Sequence, residues 1–254
     1  MNLKDAKAIV TGAASGIGRC IALELARAGA HVIGGDIDMD GLKELENESA
    51  DLPGKIYGEH LDVSNESLVK TFIEQAFQKL GSANILVNNA GILRDGLLVT
   101  REDEGWLRKL PTAQWKRVID VNLTGPFLMA REFAATLIEM NISPSLIVNI
   151  SSVTSSGNPG QSNYSASKAG LDAQTRTWAL ELAPYGFRVA GIAPGLTHTP
   201  MLSHVSPEAQ AEMISKIPLR RMAQPYEIWL AMRFIIECDY FTGSVIEVNG
   251  GARF

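Results

Sequence analysis

The sequence lacks the features that mark secreted, membrane-spanning and nucleic-acid-binding proteins. Its 254 residues include two cysteines, Cys20 and Cys238, whose separation fits neither a disulfide framework nor a metal-binding motif. No apolar run approaches the ~18 residues that a membrane span needs, and the first residues contain no signal or transit peptide. The net charge of −5 argues against a nucleic-acid surface. We therefore expect a cytoplasmic protein that binds neither membranes nor nucleic acids.

The sequence also has no internal repeat, low-complexity segment or linker rich in Pro and Gly. Short apolar runs alternate with segments of helical periodicity, which is typical of a parallel sheet. The predicted strands span residues 6–11, 31–35, 55–61, 85–87, 145–150, 189–193 and 243–248. The predicted helices span residues 19–28, 40–49, 66–80, 112–140, 163–182 and 225–238. This pattern predicts an α/β fold: one domain, residues 1–254, with a doubly wound sheet of about seven parallel strands and helices on both faces.

A glycine-rich turn follows the first predicted strand and precedes the first predicted helix. It contains Gly12, Gly16 and Gly18, with Ser15 and Ile17 between them. Glycines let the backbone approach a pyrophosphate closely, and the helix N-terminus presents free N–H groups to it. The spacing is Gly-x3-Gly-x-Gly rather than Gly-x-Gly-x2-Gly, so the turn taken alone could also be purely structural.

Asp36 ends the second predicted strand, near the position where an acidic residue binds the adenosine ribose hydroxyls of a dinucleotide. Its carboxylate would repel a 2′-phosphate, and no Lys or Arg lies at residues 13–15 or 37–38 to accept one. These observations favour NAD over NADP as the cofactor. The alternative for Asp36 is a turn residue at the strand end, which the ordered series of strand, loop, helix, strand and acid disfavours.

Further strand ends carry residues suited to a dinucleotide, because ligands bind at the carboxyl ends of parallel strands. Asp62 and Val63 follow the third strand, where Asp62 could bind the adenine amino group, cap the next helix, or do both. Small residues after the fourth strand would let a nicotinamide ribose pack against the backbone, while asparagines tie adjacent strands together. The residues after the fourth and sixth strands that we assign to the cofactor are Asn89, Ala90, Gly91, Pro194, Gly195, Leu196, Thr197 and Thr199.

Tyr164 and Lys168 are four residues apart in a predicted helix, so they share one face. A unit positive charge ~5 Å from the phenol, at an effective dielectric constant of ~20, favours the phenolate by roughly 3 kcal/mol, or about two pKa units. The pair therefore suits a general acid and base, although this spacing is also common on surface helices. Ser151 and Ser152 follow the fifth strand. Asn122 lies within the long fourth helix, where an Asn is locally unfavourable and marks a site unless it faces solvent.

Two segments are irregular in their pattern. Residues 92–111 carry charges of both signs, which is typical of a solvated face, and a substrate rim is the functional alternative. Residues 196–217 resemble a lid over an apolar substrate pocket. His198 and His204 lie in this lid, and we assign both to its rim or surface because Tyr164 already supplies the acid and base.

The motifs occur in the order seen in the short-chain dehydrogenase/reductase family, which the sequence resembles over essentially its whole length. The resemblance implies a Rossmann-like fold and the interconversion of a secondary alcohol and a ketone. Within the family, residues 120–123, 192–196 and 199–202 look most like NAD-dependent type II 3-hydroxyacyl-CoA dehydrogenases. The motifs that carry the resemblance are Gly12-x3-Gly16-Ile17-Gly18, Asn88-Asn89-Ala90-Gly91, Asn122, the serine pair, Tyr164-x3-Lys168 and Pro194-Gly195.

The resemblance also implies roles for the catalytic residues. Tyr164 would be the acid and base, while Lys168 would lower its pKa and bind the nicotinamide ribose. Asn122 would support a water-linked proton path to Lys168, and a serine would hydrogen-bond the substrate oxygen. The family's usual interval to the tyrosine selects Ser151, whereas the usual place relative to the strand selects Ser152. We choose Ser152, because a deletion in the following loop is easily tolerated.

The preferred substrate is a small molecule, a 3-hydroxyacyl-CoA or a similar apolar hydroxy compound. One alternative is a 3-oxoacyl reductase that acts on acyl-carrier-protein thioesters. Such reductases usually place a basic residue before the glycine of the sixth strand, and here Tyr185 precedes Gly186. The alternative from another class is a catalytically silent NAD-binding scaffold, which the intact set of catalytic residues disfavours.

The resemblance further implies a homotetramer, in which the long helices and the C-terminal strands pair between subunits. Trp178 and Leu182 would suit such a helix–helix interface and could equally belong to the core. The same two readings apply to an apolar stripe on the fourth helix formed by Phe127, Ala130, Phe133, Ala134 and Leu137.

Overall fold

The computed structural model describes residues 1–102, 105–202 and 205–252. The strands in these ranges are β1 (Lys7–Thr11), β2 (His31–Asp36), β3 (Ile56–His60), β4 (Ile85–Asn88), β5 (Val99–Arg101), β6 (Leu107–Lys109), β7 (Ser145–Ile150), β8 (Phe187–Pro194) and β9 (Val245–Val248). Seven of these strands form one parallel sheet in the order β3-β2-β1-β4-β7-β8-β9. The predicted doubly wound parallel sheet is therefore confirmed.

Helices cover both faces of the sheet. They are α1 (Gly16–Arg27), α2 (Met39–Glu48), α3 (Glu66–Leu80), α4 (Thr112–Ile119), α5 (Gly125–Glu139), α6 (Ser162–Glu181), α7 (Pro207–Ser215) and α8 (Pro225–Glu237). One core lies under α1, α2 and α8, and a second lies under α3, α5 and α6. Successive residues of a strand point into opposite cores, as Ala8 and Ile9 do. This burial on both faces explains why the strands are continuous apolar runs in the sequence.

The strand order places a crevice beside the carboxyl end of β1. From β1 the sheet extends through β2 and β3 in one direction and through β4, β7, β8 and β9 in the other. Helices that follow neighbouring strands on the two sides of this point lie on opposite faces, and the loops at the strand ends separate there. The glycine-rich turn and the predicted catalytic residues therefore meet at one edge of the sheet.

The predicted irregular conformation of residues 92–111 is wrong over part of its length. Strands β5 and β6 form an antiparallel hairpin, with Val99 opposite Lys109 and Arg101 opposite Leu107. All but one of the six strand residues are exposed, so no apolar alternation marks the hairpin in the sequence. Asp103 and Glu104 lie outside the described residues.

The predicted long helix over residues 112–140 is confirmed as a continuous helical segment, but it is not a regular α-helix throughout. A π-helical turn, Asp120–Thr124, separates α4 from α5. Such turns are inserted where one residue is displaced from regular helical hydrogen bonding, and they often occur at functional sites. Over the described residues, no helix is both long and apolar enough to cross a membrane.

Candidate active site

The glycine-rich turn connects the end of β1 to the start of α1. Gly12 and Gly16 have φ angles of +66° and +57°, in the left-handed region that favours glycine. Gly18 lies in the first turn of α1, where a Cβ atom would collide with the Gly12 carbonyl and the Asn89 amide. Ser15 is the N-cap residue, and its side chain makes no capping hydrogen bond to the helix. The turn therefore offers a side-chain-free cradle and a helix N-terminus, which together suit a pyrophosphate.

Thr199 approaches this cradle from the loop after β8. A Cβ atom built on Gly16 would lie 3.3 Å from both the Cβ and the Cγ2 atoms of Thr199. Ile17, by contrast, packs against the core beneath α1. The Thr199 side chain thus packs close to Gly16, whereas the Ile17 side chain anchors the helix.

The loop from Pro194 to Thr197 is shaped largely by its own backbone. Gly195 donates its N–H to the Val248 carbonyl at 2.9 Å, and the Thr197 hydroxyl donates to the Gly195 carbonyl at 3.0 Å. The Leu196 carbonyl accepts a hydrogen bond from the segment before α8. These contacts hold the loop beside the sheet edge, and the Thr197 hydroxyl is used within the loop itself.

Asp36 lies at the end of β2, against the glycine-rich turn. Its carboxylate accepts hydrogen bonds from the Ala14 N–H at 3.0 Å and from the Asp38 N–H at 3.1 Å. The Arg19 guanidinium donates to Glu48 at 2.7 Å and so is directed along α2. Asp36 therefore takes part in the turn, as its structural alternative predicts, and its carboxylate lies beside the glycine-rich turn.

Asp62 does not cap the following helix, so that reading is wrong. The N-cap of α3 is Asn65, whose side chain accepts from the Leu68 N–H at 3.1 Å. Burial pushes the pKa of Asp62 upward, but hydrogen bonds from the Ser64 hydroxyl and N–H, at 2.6 and 2.9 Å, hold it below its usual range. Val63 is buried, and a Cβ atom on the first residue of α5 would collide with its side chain.

The asparagines at the end of β4 tie neighbouring strands together, as predicted. Asn88 donates to the Asn149 carboxamide oxygen on β7 at 2.9 Å. Asn89 donates through its side chain to the Thr11 carbonyl on β1 at 2.9 Å. The Thr11 hydroxyl in turn accepts from the N–H groups of Asn89 and Ala90, both at 3.0 Å. The Asn89 side chain is therefore structural and fixes the small residues that follow.

Asn122 is fully buried in the π-helical turn, so its solvent-facing alternative is wrong. Its carboxamide donates to the Ile92 carbonyl at 2.9 Å and accepts from the Ile92 N–H at 2.8 Å. A Cβ atom built on Gly91 would lie 3.4 Å from Asn122 Oδ1 and 3.7 Å from Lys168 Nζ. Gly91 therefore lies beside both the asparagine and the lysine, and a side chain at this position would contact both.

Tyr164 and Lys168 share one face of α6, as their spacing predicts. The Lys168 Nζ atom lies 5.6 Å from the centre of the Tyr164 ring and donates to the Ile150 carbonyl at 2.8 Å. Burial lowers the pKa of Lys168 to about 8, and the nearby Asp172 carboxylate opposes this shift. The lysine is thus held in place by the end of β7 and loses its proton more readily than a free lysine.

The pKa of Tyr164 moves in the direction opposite to the prediction. Burial raises the pKa of Tyr164 to about 12, a hydrogen bond with Ser152 lowers it in part, and the Asp95 carboxylate raises it further. The prediction considered only the charge of Lys168 and omitted the energy needed to bury a phenolate.

The two serines after β7 face different partners. The buried Ser151 hydroxyl donates to the Lys168 backbone carbonyl at 3.5 Å. The Ser152 hydroxyl lies 3.0 Å from the Thr154 hydroxyl and interacts with the Tyr164 phenol. The structure therefore brings Ser152 to the phenol, whereas Ser151 hydrogen-bonds to the backbone of α6.

Two residues near Tyr164 were not predicted to belong to the site. Asp95 lies in the loop after β4, and both of its carboxylate oxygens accept from Gln161 Nε2, at 3.3 and 3.2 Å. Gln161 is three residues before Tyr164, and this helical spacing was the available signal in the sequence. His198 is exposed, consistent with a rim position, and His204 lies outside the described residues.

Comparisons with known proteins agree with this arrangement. A family profile described as Enoyl-(Acyl carrier protein) reductase matches residues 12–253. The chain is 41% identical over 254 residues to the 3-oxoacyl-(acyl-carrier-protein) reductase FabG of Thermotoga maritima, and the match covers 99% of each protein. It is 35% identical over 253 residues to a hydroxy(phenyl)methylsuccinyl-CoA dehydrogenase subunit, BbsD, of Thauera aromatica, covering 99% of the chain and 98% of that subunit.

A solved structure also matches nearly the whole chain. The crystal structure of a short-chain type dehydrogenase/reductase from Mycobacterium marinum superposes with a TM-score of 0.88 at 31% identity. The match covers 98% of this chain and 96% of that one. The chain therefore belongs to the short-chain dehydrogenase/reductase family of nicotinamide-dependent oxidoreductases.

Proposed function

We propose that this oxidoreductase interconverts 3-oxoacyl and 3-hydroxyacyl thioesters, with reduction of a 3-oxoacyl group as its principal reaction. The observation that carries the proposal is the convergence of Ser152, Tyr164 and Lys168 beside Gly91, at the same sheet edge as the glycine-rich cradle. The FabG relatives favour this reductase alternative over the hydroxyacyl-CoA dehydrogenase that we prefer from the sequence.

The residues at the sheet edge fit a nicotinamide dinucleotide. The turn at Gly12–Gly18 would hold the pyrophosphate, Asp36 the adenosine ribose, and Lys168 the nicotinamide ribose. Thr199, beside Gly16, would border the part of the site that holds the pyrophosphate. When bound, the cofactor supplies or accepts the hydride. The carboxylate of Asp36 supports NAD(H) rather than NADP(H), because it would repel a 2′-phosphate.

Reduction then requires a proton and a hydrogen-bond donor at the substrate carbonyl. The Tyr164 phenol would give its proton to the carbonyl oxygen as hydride reaches the carbonyl carbon, and the Ser152 hydroxyl would stabilise the negative charge that develops on that oxygen. The buried Lys168 ammonium then stabilises the phenolate. Asn122 holds the Ile92 backbone and supports a proton path that restores the phenol.

A second candidate is a dehydrogenase of hydroxyacyl-CoA thioesters. The similarity to the Thauera aromatica CoA dehydrogenase subunit favours it. Tyr185, which is exposed before Gly186, also favours it, because a basic residue there would suit an acidic carrier protein better.

The test is the initial rate of reduction of acetoacetyl-CoA and of acetoacetyl-carrier protein, each with NADH and with NADPH. Faster reduction of the carrier-protein thioester supports the reductase, and a preference for acetoacetyl-CoA supports the second candidate. No reduction of either thioester, despite measurable NADH binding, would overturn both.

We also propose that residues 196–217 form a lid over an apolar pocket. The segment contains the short helix α7, and Met201 and Met213 are 45% and 39% exposed. Apolar side chains that stay exposed at a substrate entrance suit an acyl chain. Limited proteolysis within this segment should slow when an acyl thioester and NADH are both present.

Assembly as a homotetramer is likewise a proposal. Most of the predicted stripe on α5 belongs to the core, because Ala130, Phe133, Ala134 and Leu137 are buried, while Phe127 is 40% exposed. The better-supported surface lies on α8, where Tyr226, Leu230 and Phe234 are about half exposed at helical spacing, beside the edge strand β9. A monomer by light scattering would contradict this proposal.

A further inference from the structure

The loop that carries Asp95 is fastened to the N-terminal end of α6, the helix that bears Tyr164. Gly96 donates its N–H to the Gly160 carbonyl at 2.8 Å, just before the helix. The Asn163 side chain donates to the Arg94 carbonyl at 3.0 Å. The backbone on both sides of Asp95 is therefore fixed relative to the first turn of α6.

The Asp95 side chain is fixed as well. Its two oxygens share the Gln161 Nε2 donor, and Gln161 Oε1 accepts from the Asn158 amide at 3.0 Å. Gln161 is buried, so this amide has one orientation. The neighbouring Arg94 guanidinium donates to a backbone carbonyl, and within the described part of the chain no cation pairs with Asp95. Burial raises the pKa of Asp95, and the hydrogen bond from Gln161 opposes this shift, so the Gln161 amide favours the charged carboxylate beside the helix.

Two charged groups bear on the Tyr164 phenol from the elements described around it. Lys168 lies one turn along α6, and its charge is itself supported by Asp172 on the same helix. Asp95 acts from the loop after β4 and raises the pKa of Tyr164, in addition to the larger effect of burial. Ser152 contributes a hydrogen bond but no charge.

We propose that Asp95, oriented by Gln161, is a positioning residue that keeps the Tyr164 phenol in its proton-donating form. This inference rests on the proposed function of Tyr164 as the acid and base. In reduction the phenol O–H bond breaks and its proton goes to the substrate oxygen, so a protonated phenol is the reactive form. Alcohol oxidation needs the phenolate instead. Asp95 therefore leaves the reaction equilibrium unchanged and moves the onset of oxidation to higher pH.

The test is the pH dependence of kcat/KM for 3-hydroxybutyryl-CoA oxidation in wild type, Asp95→Asn, Asp95→Glu and Glu102→Gln. Asp95→Asn keeps an acceptor for Gln161 but removes the charge. The rising limb of its pH–rate profile should therefore move to lower pH by roughly half a unit or more, which raises kcat/KM about threefold at pH values below the limb. Asp95→Glu should not move this limb, because it keeps the negative charge. Glu102→Gln should not move it either, because Glu102 pairs with Arg108 on the hairpin. A limb that stays in place or moves upward in Asp95→Asn overturns the inference.

A second measurement needs no turnover. Tyrosinate absorbance is titrated with saturating NAD+, and the signal of each protein is corrected with its Tyr164→Phe counterpart. Asp95→Asn should lower the pH at which Tyr164 ionises. If this shift occurs in a protein that reduces no thioester, the proposed substrate class fails and the role of Asp95 stands. If Tyr164 ionises at the same pH with and without Asp95, the inference fails whatever the substrate.

Discussion

The Asn122 side chain pairs with both backbone groups of Ile92, as a neighbouring strand would. This pair lies at the π-helical turn between α4 and α5, beside Gly91. Asn122 therefore sets the position of the loop after β4, in addition to any part that it takes in proton transfer.

Asn122→Ala should damage both stability and activity. The substitution leaves the Ile92 N–H and carbonyl without their partner, which should lower the free energy of unfolding by about 2–4 kcal/mol. A displacement of the adjacent loop by ~1 Å should lower kcat roughly a hundredfold. Urea unfolding and initial rates measure the two effects. The control Asn65→Ala removes the exposed cap of α3, so it should cost ~1 kcal/mol and leave kcat unchanged.

Gly18→Ala should weaken cofactor binding while the protein still folds. The added methyl group would collide with the Gly12 carbonyl, so α1 must move away from the turn and widen the cradle. We expect the Kd for NADH, measured by fluorescence titration, to rise at least tenfold. Gly81→Ala is the matched control: it strains a positive φ at the end of α3, where nothing lies within 4 Å, and should cost ~1 kcal/mol of stability with unchanged NADH affinity.

Asp36→Asn should change the choice of cofactor. The carboxamide keeps an oxygen for the Ala14 N–H but no longer repels a 2′-phosphate, so the NADPH-to-NADH ratio of kcat/KM should rise about tenfold or more. Steady-state rates with both cofactors give this ratio. Asp40→Asn removes an exposed charge from the first turn of α2 and should leave the ratio unchanged. A wild-type preference for NADPH would contradict the role given to Asp36.

Tyr164→Phe should lower turnover by roughly 10²- to 10⁴-fold, because the proton donor is lost. NADH affinity should change little, since the phenyl ring keeps its place against Lys168. Rates and NADH titration on the same preparation separate these effects. Tyr185→Phe, at an exposed tyrosine, should retain full turnover. Unchanged turnover in Tyr164→Phe would exclude this residue as the acid. A wild-type protein that binds NADH but turns over no substrate would favour a dinucleotide-binding scaffold.

Lys168 should make stability rise with pH. Its folded-state pKa is about 8 against an ordinary 10.5, so the unfolded chain binds more protons between these values and stability increases with pH across that window. Relative to Lys168→Met, wild type should gain about 2 kcal/mol between roughly pH 7.5 and 9.5 in urea unfolding. Burial raises the pKa of Cys20 to about 11 and acts in the opposite direction, but equally in both proteins. If the free energies of unfolding of wild type and Lys168→Met change with pH in parallel, Lys168 titrates normally.

The features determined by the sequence itself are those that depend on local spacing. Apolar runs and helical periodicity determined the seven sheet strands and most helices, because strands covered on both faces must be apolar throughout. The strand–turn–helix order determined the glycine-rich cradle, and a four-residue interval placed Tyr164 and Lys168 on one helix face. The family resemblance follows from these local motifs occurring in one order.

Only the tertiary structure decided the features that depend on burial and on distant partners. The hairpin β5–β6 has no buried face, and Asn122 in the π-helical turn pairs with Ile92, thirty residues earlier in the chain. Ser151 and Ser152 are adjacent in sequence, yet one meets a backbone carbonyl and the other meets the phenol. The direction of the Tyr164 pKa shift depends on desolvation and on the charge of Asp95, and neither is visible until the chain has folded.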